Sequence, residues 1–273
     1  MSSTRITILH DSFGRAPALR QQWGFAALIE HEGLRILFDT GNSARTFADS
    51  TATLGVDLRQ LDCAVISHRH GDHTSGLNHL LAIHPRLQIY TPDETYGVFG
   101  SSLPGTFFPS CHSLPAYMRY YEGRPPDVIT HGSPWPDARF EWIQQTTELR
   151  PGVFALPTVS DLPGTRELRE LSLALRTPAG LVLVVGCSHP GIEKIVAAAQ
   201  AIEPRIACIV GGLHLLLTEE RELRRVARAL RDDWRVERIA PGHCTGEPGF
   251  AVLQQEFGNN YLFAGLGETV TPV

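Results

Sequence analysis

Apolar residues recur along the chain in short blocks that alternate with longer stretches of helical spacing. Arg5–His10 alternates, with Ile6 and Ile8 on one side, the period-two signature of a half-buried strand. Phe25–Glu30 and Leu34–Phe38 are two further strands, and the intervening His31-Glu32-Gly33 is a hairpin by its length and its glycine. Ala64–Ser67 stays apolar until its end, as expected of a strand covered on both faces. A helix is predicted over Ser75–Ile83 and a strand over Arg86–Tyr90. The second half repeats the alternation, with strands at Leu171–Arg176 and Leu181–Val185, a helix over Ile192–Ile202 and a strand at Ile206–Val210. A charged helix at Thr218–Asp232, a strand at Val236–Ala240 and a helix around Phe250–Phe257 complete it. Hairpins at the start of each half, followed by mixed strands and helices, predict two sheets packed face to face with helices outside.

The rhythm breaks between about residues 91 and 150. That stretch holds many prolines and an aromatic cluster of Phe107, Phe108, Tyr117, Tyr120, Tyr121, Trp135 and Trp142. It is too aromatic for a disordered linker and reads as an insertion folded over something, within one domain of 273 residues. The chain is 42% hydrophobic and 19% charged, as in ordinary soluble globular proteins. A net charge of −5 offers no basic face for nonspecific contact with nucleic acid. The N-terminal MSSTRITILHDS lacks the pattern of a signal peptide, and no apolar run approaches the ~20 residues that span a bilayer. Five scattered cysteines fit reduced thiols better than a disulfide framework. The expectation is therefore a cytoplasmic protein, free of membrane and nucleic acid, that acts on a small molecule. Its oligomeric state is left open.

Chemistry enters with ISHRHGDHTSG, residues 66 to 76. His68, His70, Asp72 and His73 crowd four metal-ligand side chains into six positions directly after an apolar strand. Residues two apart in an extended segment point the same way, so His68 and His70 can grip one ion. Asp72 and His73, turned by Gly71, can address a second. Imidazole and carboxylate suit zinc, and also iron or manganese. The bland alternative is a solvated, histidine-rich loop, which the preceding strand and the tight spacing argue against. More ligands lie at other strand ends: Cys187 and His189 in LVLVVGCSHPGI, His214 in CIVGGLHLL and His243 in ERIAPGHCTG. Strands that each deliver a histidine after a glycine imply convergence on one sheet edge, where such folds build sites.

These motifs, with Phe38-Asp39-Thr40-Gly41, resemble the metallo-β-lactamase superfamily over the whole chain. The run GCSHPGI, GGLHL, PGHCTG is more similar to the subgroup named after a dihydropterin ribofuranosyl-aminobenzene phosphate synthase. The resemblance implies a four-layer αββα sandwich with a two-metal site between the loops. It implies that His68, His70 and His189 hold one ion, and Asp72, His73 and His243 the other. It also implies that Asp39 supports a ligand from behind. One departure stands out. Many hydrolases of the superfamily have Gly-Asp where this chain has Gly186-Cys187, and that aspartate bridges the metals. Cys187 is either a thiolate ligand or, as favoured here, a small buried residue beside the site, as free cysteines usually are. His112 and His131 are rival third ligands in the irregular insertion, and His189 is preferred because a glycine-bounded strand end pins it. His10, His31, His79 and His84 read as structural or exposed.

Two metals held this way lower the pKa of a shared water until hydroxide is available near neutral pH. Asp72 can accept the proton, and His214 is the second candidate for chemistry, with substrate binding or a structural place as its alternatives. No Ser-His-Asp arrangement or phosphate-cradling glycine loop competes, since Gly211-Gly212 lacks the dinucleotide spacing. The expected activity is hydrolysis of a phosphate ester or phosphodiester of a small, heterocyclic molecule, with Phe107, Phe108 or Tyr121 stacking on its ring. A lactone, thioester or β-lactam hydrolase on the same site is the rival within enzymes, and a non-catalytic ligand-binding regulator is the rival outside them.

Overall fold

A computed structural model describes residues 4–94 and 97–273. Its strands are β1 Arg5–His10, β2 Ala26–His31, β3 Leu34–Phe38, β4 Cys63–Val65, β5 Gln88–Pro92, β6 Ser101–Pro104, β7 Val128–His131 and β8 Arg139–Ile143. They continue as β9 Thr147–Arg150, β10 Val153–Val159, β11 Arg169–Thr177, β12 Gly180–Val185, β13 Ile206–Gly212, β14 Arg238–Gly242 and β15 Thr269–Val270. The α-helices are α1 Ala44–Thr53, α2 Gly71–Thr74, α3 Leu77–Ile83, α4 Ile192–Gln200, α5 Glu220–Arg228 and α6 Glu247–Phe257. Among the described residues no helix is long and apolar enough to cross a membrane.

The first sheet runs β15-β1-β2-β3-β4-β5-β8, and the second β14-β13-β12-β11-β10-β9. Alternation in β11 shows why they stack. Leu171, Leu173 and Leu175 point into a core shared with Ile6, Ile8, Ile36, Phe38 and Val65 of the first sheet. On the far side of the second sheet, Leu181, Leu183 and Val185 pack under Ile195 and Val196 of α4, Leu223 and Val226 of α5, and Val252 and Leu253 of α6. Phe47 of α1 and Leu77 and Leu80 of α3 are buried with the first sheet. The result is the αββα sandwich. Each fully buried aliphatic side chain contributes roughly 1.5–3 kcal/mol, so both cores hold the strand ends in place.

Residues 94–137 form a compact unit of their own, separate from the sandwich built of residues up to Asp93 and from Ala138 onward. It contains the antiparallel pair β6–β7. The irregular stretch is therefore shorter than the 91–150 expected from composition. Arg139–Ile143 pairs with β5, and Thr147–Arg150 with β10, as ordinary sheet strands. Proline and aromatic content hid that return to the sheets.

Candidate metal centre

Strand parallelism explains how distant motifs meet. β12, β13 and β14 run parallel, so the loops bearing Cys187 and His189, His214, and His243 leave the second sheet at one edge. β3, β4 and β5 are likewise parallel in the first sheet, and the loop after β4 carries His68 to His73. Gly186 lets the two edges close. A Cβ there would lie 2.3 Å from Ser67 Oγ and 3.2 Å from Asp39 Oδ2.

Two neighbouring groups result. In the first, His68 Nε2 lies 3.0 Å from His70 Nδ1, and the His189 ring centroid lies 4.6 Å from that of His68 and 4.9 Å from that of His70. In the second, His73 Nε2 lies 3.2 Å from His243 Nε2, and Asp72 Oδ2 lies 3.7 Å and 3.4 Å from those two atoms. The His68 and His73 ring centroids are only 4.1 Å apart, so the groups are adjacent.

Carboxylates behind the rings set which nitrogen is bare. Asp39 accepts from the Ser67 amide and hydroxyl, each at 2.7 Å, and faces His73 Nδ1 at 2.7 Å. His73 therefore donates from Nδ1 and turns Nε2 inward. Because the Ser67 hydroxyl gives its hydrogen to Asp39, it accepts from His68 Nδ1 at 2.8 Å. That leaves Nε2 of His68 bare as well. On the other sheet, Glu170 of β11 accepts the amides of Cys187, Ser188 and His189 at 2.9, 2.7 and 2.9 Å. Its Oε2 also faces His189 Nδ1 at 3.0 Å. Each carboxylate thus fixes a tautomer that presents Nε2 to the cluster, the outer support that metal-ligating histidine generally has.

Burial and mutual repulsion shape the charges. Burial, reinforced by His73 and His189, holds His68 well below the usual histidine range. Burial and the nearby His189 lower His70 to about 4. Burial works the same way on His73, but Asp39 and then Asp72 outweigh it and raise that imidazole to about 9. Burial opposes ionisation of Asp72, yet its contacts with His243 and His73 hold it below the usual carboxylate range. Neutral His68 and His70, an ionised Asp72 and a His73 that keeps its proton until an ion displaces it make a donor set that fits divalent ions with nitrogen and oxygen preference. Backbone strain gathers here too. Asp39, Ser188, His214 and His243 take φ of +59°, +64°, +51° and +45°, a region that costs side-chain-bearing residues energy and persists where surroundings enforce it.

Cys187, expected as a small buried residue beside the site, is buried against its histidines. It is 4% exposed and its Sγ is 3.2 Å from His73 Nε2. The exposed His214 sits with its ring centroid 4.4 Å from His189. His189 and His214 border a cavity of about 400 Å³ that also meets Ser188, Pro190, Lys194 and Thr218. Phe107, Phe108 and Tyr121 belong to the separate unit 94–137, where Phe107 stacks edge-on against Phe108 at 5.1 Å and Tyr121 is 53% exposed. His112 is in that unit as well, exposed and 3.1 Å from Arg119 Nη2.

Several residues escaped sequence reasoning. Glu170 was hidden inside an apolar strand, where a lone acid is itself the signal, because a buried carboxylate requires partners. Asp11 accepts the His243 amide at 2.9 Å, and burial raises its carboxyl to about 7. Ser67 and Cys244 complete the buried surround, with the Cys244 thiol 3.6 Å from the Cys187 carbonyl.

Fold and histidine cluster together resemble those of metal-dependent enzymes of the metallo-β-lactamase superfamily. Residues 34–118 match the family model described as a beta-lactamase superfamily domain. The chain is similar to the 7,8-dihydropterin-6-methyl-4-(beta-D-ribofuranosyl)-aminobenzene-5'-phosphate synthase of Methanocaldococcus jannaschii, at 26% identity over 93% of this chain and 92% of that one. A solved metal-dependent hydrolase of the beta-lactamase superfamily superposes with a TM-score of 0.72 at 25% identity, covering 98% of each chain. A diphosphatase of the PhnP family shares the fold, with a TM-score of 0.59 at 13% identity, over 99% of this chain and 97% of that one.

Proposed function

We propose that the chain is a binuclear metallohydrolase that cleaves a phosphate ester or phosphodiester of a small molecule. The observation that carries this reading is the pair of adjacent candidate ligand groups, whose His68 and His73 ring centroids are 4.1 Å apart. His68, His70 and His189 would hold one ion, and Asp72, His73 and His243 the other, with zinc the first choice and iron or manganese its rivals. Bound divalent ions supply hydroxide near neutral pH and polarise the scissile oxygen. The protein's own part is positioning and proton handling. Asp72, ionised and 19% exposed, faces the space between the groups and accepts the proton released as the nucleophile forms. His214, at the cavity wall beside His189, holds a proton within reach of a departing oxygen. Lys194 borders the same cavity, its ammonium donating to the Val159 carbonyl at 2.9 Å. It can reorient toward an anionic group at the cost of that contact.

The M. jannaschii relative is named a synthase, which favours a second reading in which the same centre serves a phosphate-bearing substrate in a bond-forming reaction. Lactones and thioesters remain rivals for the hydrolytic reading. The test is elemental analysis of protein purified without added metal, followed by assay on bis-(p-nitrophenyl) phosphate, phosphomonoesters, lactones and thioesters. About two equivalents of metal and chelator-sensitive cleavage of the phosphodiester are expected. Metal-loaded protein that opens lactones but leaves every phosphoester intact would overturn the substrate class. Protein that takes up no metal would point to the non-catalytic regulator.

A further inference from the structure

The two ligand groups share one atom. Cys187 Sγ stands with His68 and His189, and again with His73 and His243, with all ligand atoms of each set within 4.8 Å of one another. We propose that the Cys187 thiolate is a ligand common to both metal positions, occupying the seam between them. This rests on the metal-centre reading above.

Three features of the site converge on it. First, the sulfur is fixed in place. The Cys187 amide donates to Glu170 Oε1 at 2.9 Å, and Gly186 before it is pressed against Ser67 and Asp39. Second, the site is short of negative charge. Asp39 and Glu170 face the Nδ1 atoms of His73 and His189, which leaves Asp72, among the described residues, as the carboxylate close to both His73 Nε2 and His243 Nε2. Two divalent ions in so buried a place need further anionic ligands to offset lost hydration. A thiolate supplies one. Third, thiolate is a strong ligand for zinc and related ions. Coordination of the first ion releases the single thiol proton to solvent, the second ion binds the thiolate already formed, and no oxidant or reductant is required. Cys244, the neighbouring thiol, stands with Cys187 and His214, apart from the four histidines of the two shared sets.

The experiment uses the full-length protein, stripped and titrated with cobalt(II), and read by absorption spectroscopy. A near-ultraviolet sulfur-to-cobalt charge-transfer band is expected to grow through both the first and the second equivalent. Cys187→Ser is expected to lose the band and Cys244→Ser to keep it. Zinc-loaded protein should show a sulfur shell near about 2.3 Å by X-ray absorption. Should Cys187→Ser fail to fold by circular dichroism, Cys187→Asp replaces it as a carboxylate bridge and is expected to bind both cobalt ions without the band. A band that saturates at the first equivalent would overturn sharing. Bound cobalt with a purely nitrogen and oxygen spectrum would refute the thiolate while leaving the metal centre intact. Failure to bind cobalt at all would bring down the metal-centre reading itself and this inference with it.

Discussion

The two halves of the histidine cluster sit side by side yet are built differently. The His68, His70 and His189 group is all imidazole, and its carboxylate support, Glu170, is held by the amides of the turn that carries His189. The His73, His243 and Asp72 group includes an acid of its own, and its support, Asp39, is anchored by Ser67, which like Asp39 follows a strand of the first sheet. Burial and neighbouring imidazoles depress His68 and His70. His73 is pushed the other way, because burial is outweighed by Asp39 and Asp72. His68 and His70 are therefore neutral near pH 7, whereas His73 carries a proton that a bound ion would have to displace. The lesson is that neighbouring ligand sets of similar residue type can differ in proton affinity because of the side chains one layer behind.

The largest expected effect breaks the half that contains the acid. Asp72→Ala should lower kcat by about 10²–10⁴-fold, the usual worth of a positioned proton acceptor, with the thermal transition of the metal-free protein nearly unmoved because Asp72 is partly exposed. His70→Ala should instead lose most of the metal from the first group. Steady-state kinetics with metal content measured on the same samples checks both. Full activity in Asp72→Ala would remove it from the mechanism.

A smaller effect separates the two supports. Glu170→Gln and Asp39→Asn keep shape while removing charge, and each is expected to weaken metal binding by about 10–100-fold. The comparison sharpens in which ion leaves. Glu170→Gln should release the ion of the His189 group, and Asp39→Asn that of the His73 group, as read by competition with a chromophoric chelator. Loss of the same ion in both variants would show that the halves are not independent.

How much of this was legible in the chain follows a physical line. Candidate ligands that follow an apolar strand, as His68, His189 and His243 do, were visible because two local signals coincide, a strand period and a glycine-bounded turn. The two-sheet sandwich was visible for the same reason. Helix α1 was missed because ARTFADSTAT offers one large apolar residue, Phe47, and is held by its Ser43 cap and tertiary packing. Glu170 was missed because its role is long-range. Its partners lie 17 to 19 residues away on another strand and turn, and sequence spacing carries no trace of that pairing. Cys187 was read as a small buried residue beside the site, and it is buried with its Sγ 3.2 Å from His73 Nε2. Whether a thiol at a strand end packs behind a site or enters it depends on how closely Gly186 approaches Ser67, a distance set by both sheets.

The smallest expected effect tests the charge difference directly, in protein stripped of metal. His73 titrates near 9 when folded and near about 6.5 when unfolded. A raised folded pKa means that the folded state holds the proton more tightly. The stabilisation is therefore complete below about 6.5 and is lost as pH rises through 9, at no more than about 1.4 kcal/mol per pH unit. Other groups titrate nearby, since burial raises Asp11 to about 7 and lowers His10 to about 4. The informative quantity is thus the stability difference between wild type and Asp39→Asn, which cancels groups common to both. That difference, from urea unfolding with chelator at several pH values, should be greatest near pH 6 and shrink steadily toward pH 9. A flat difference would mean that His73 does not carry its proton against Asp39, and the proposed asymmetry between the two halves would fail with it.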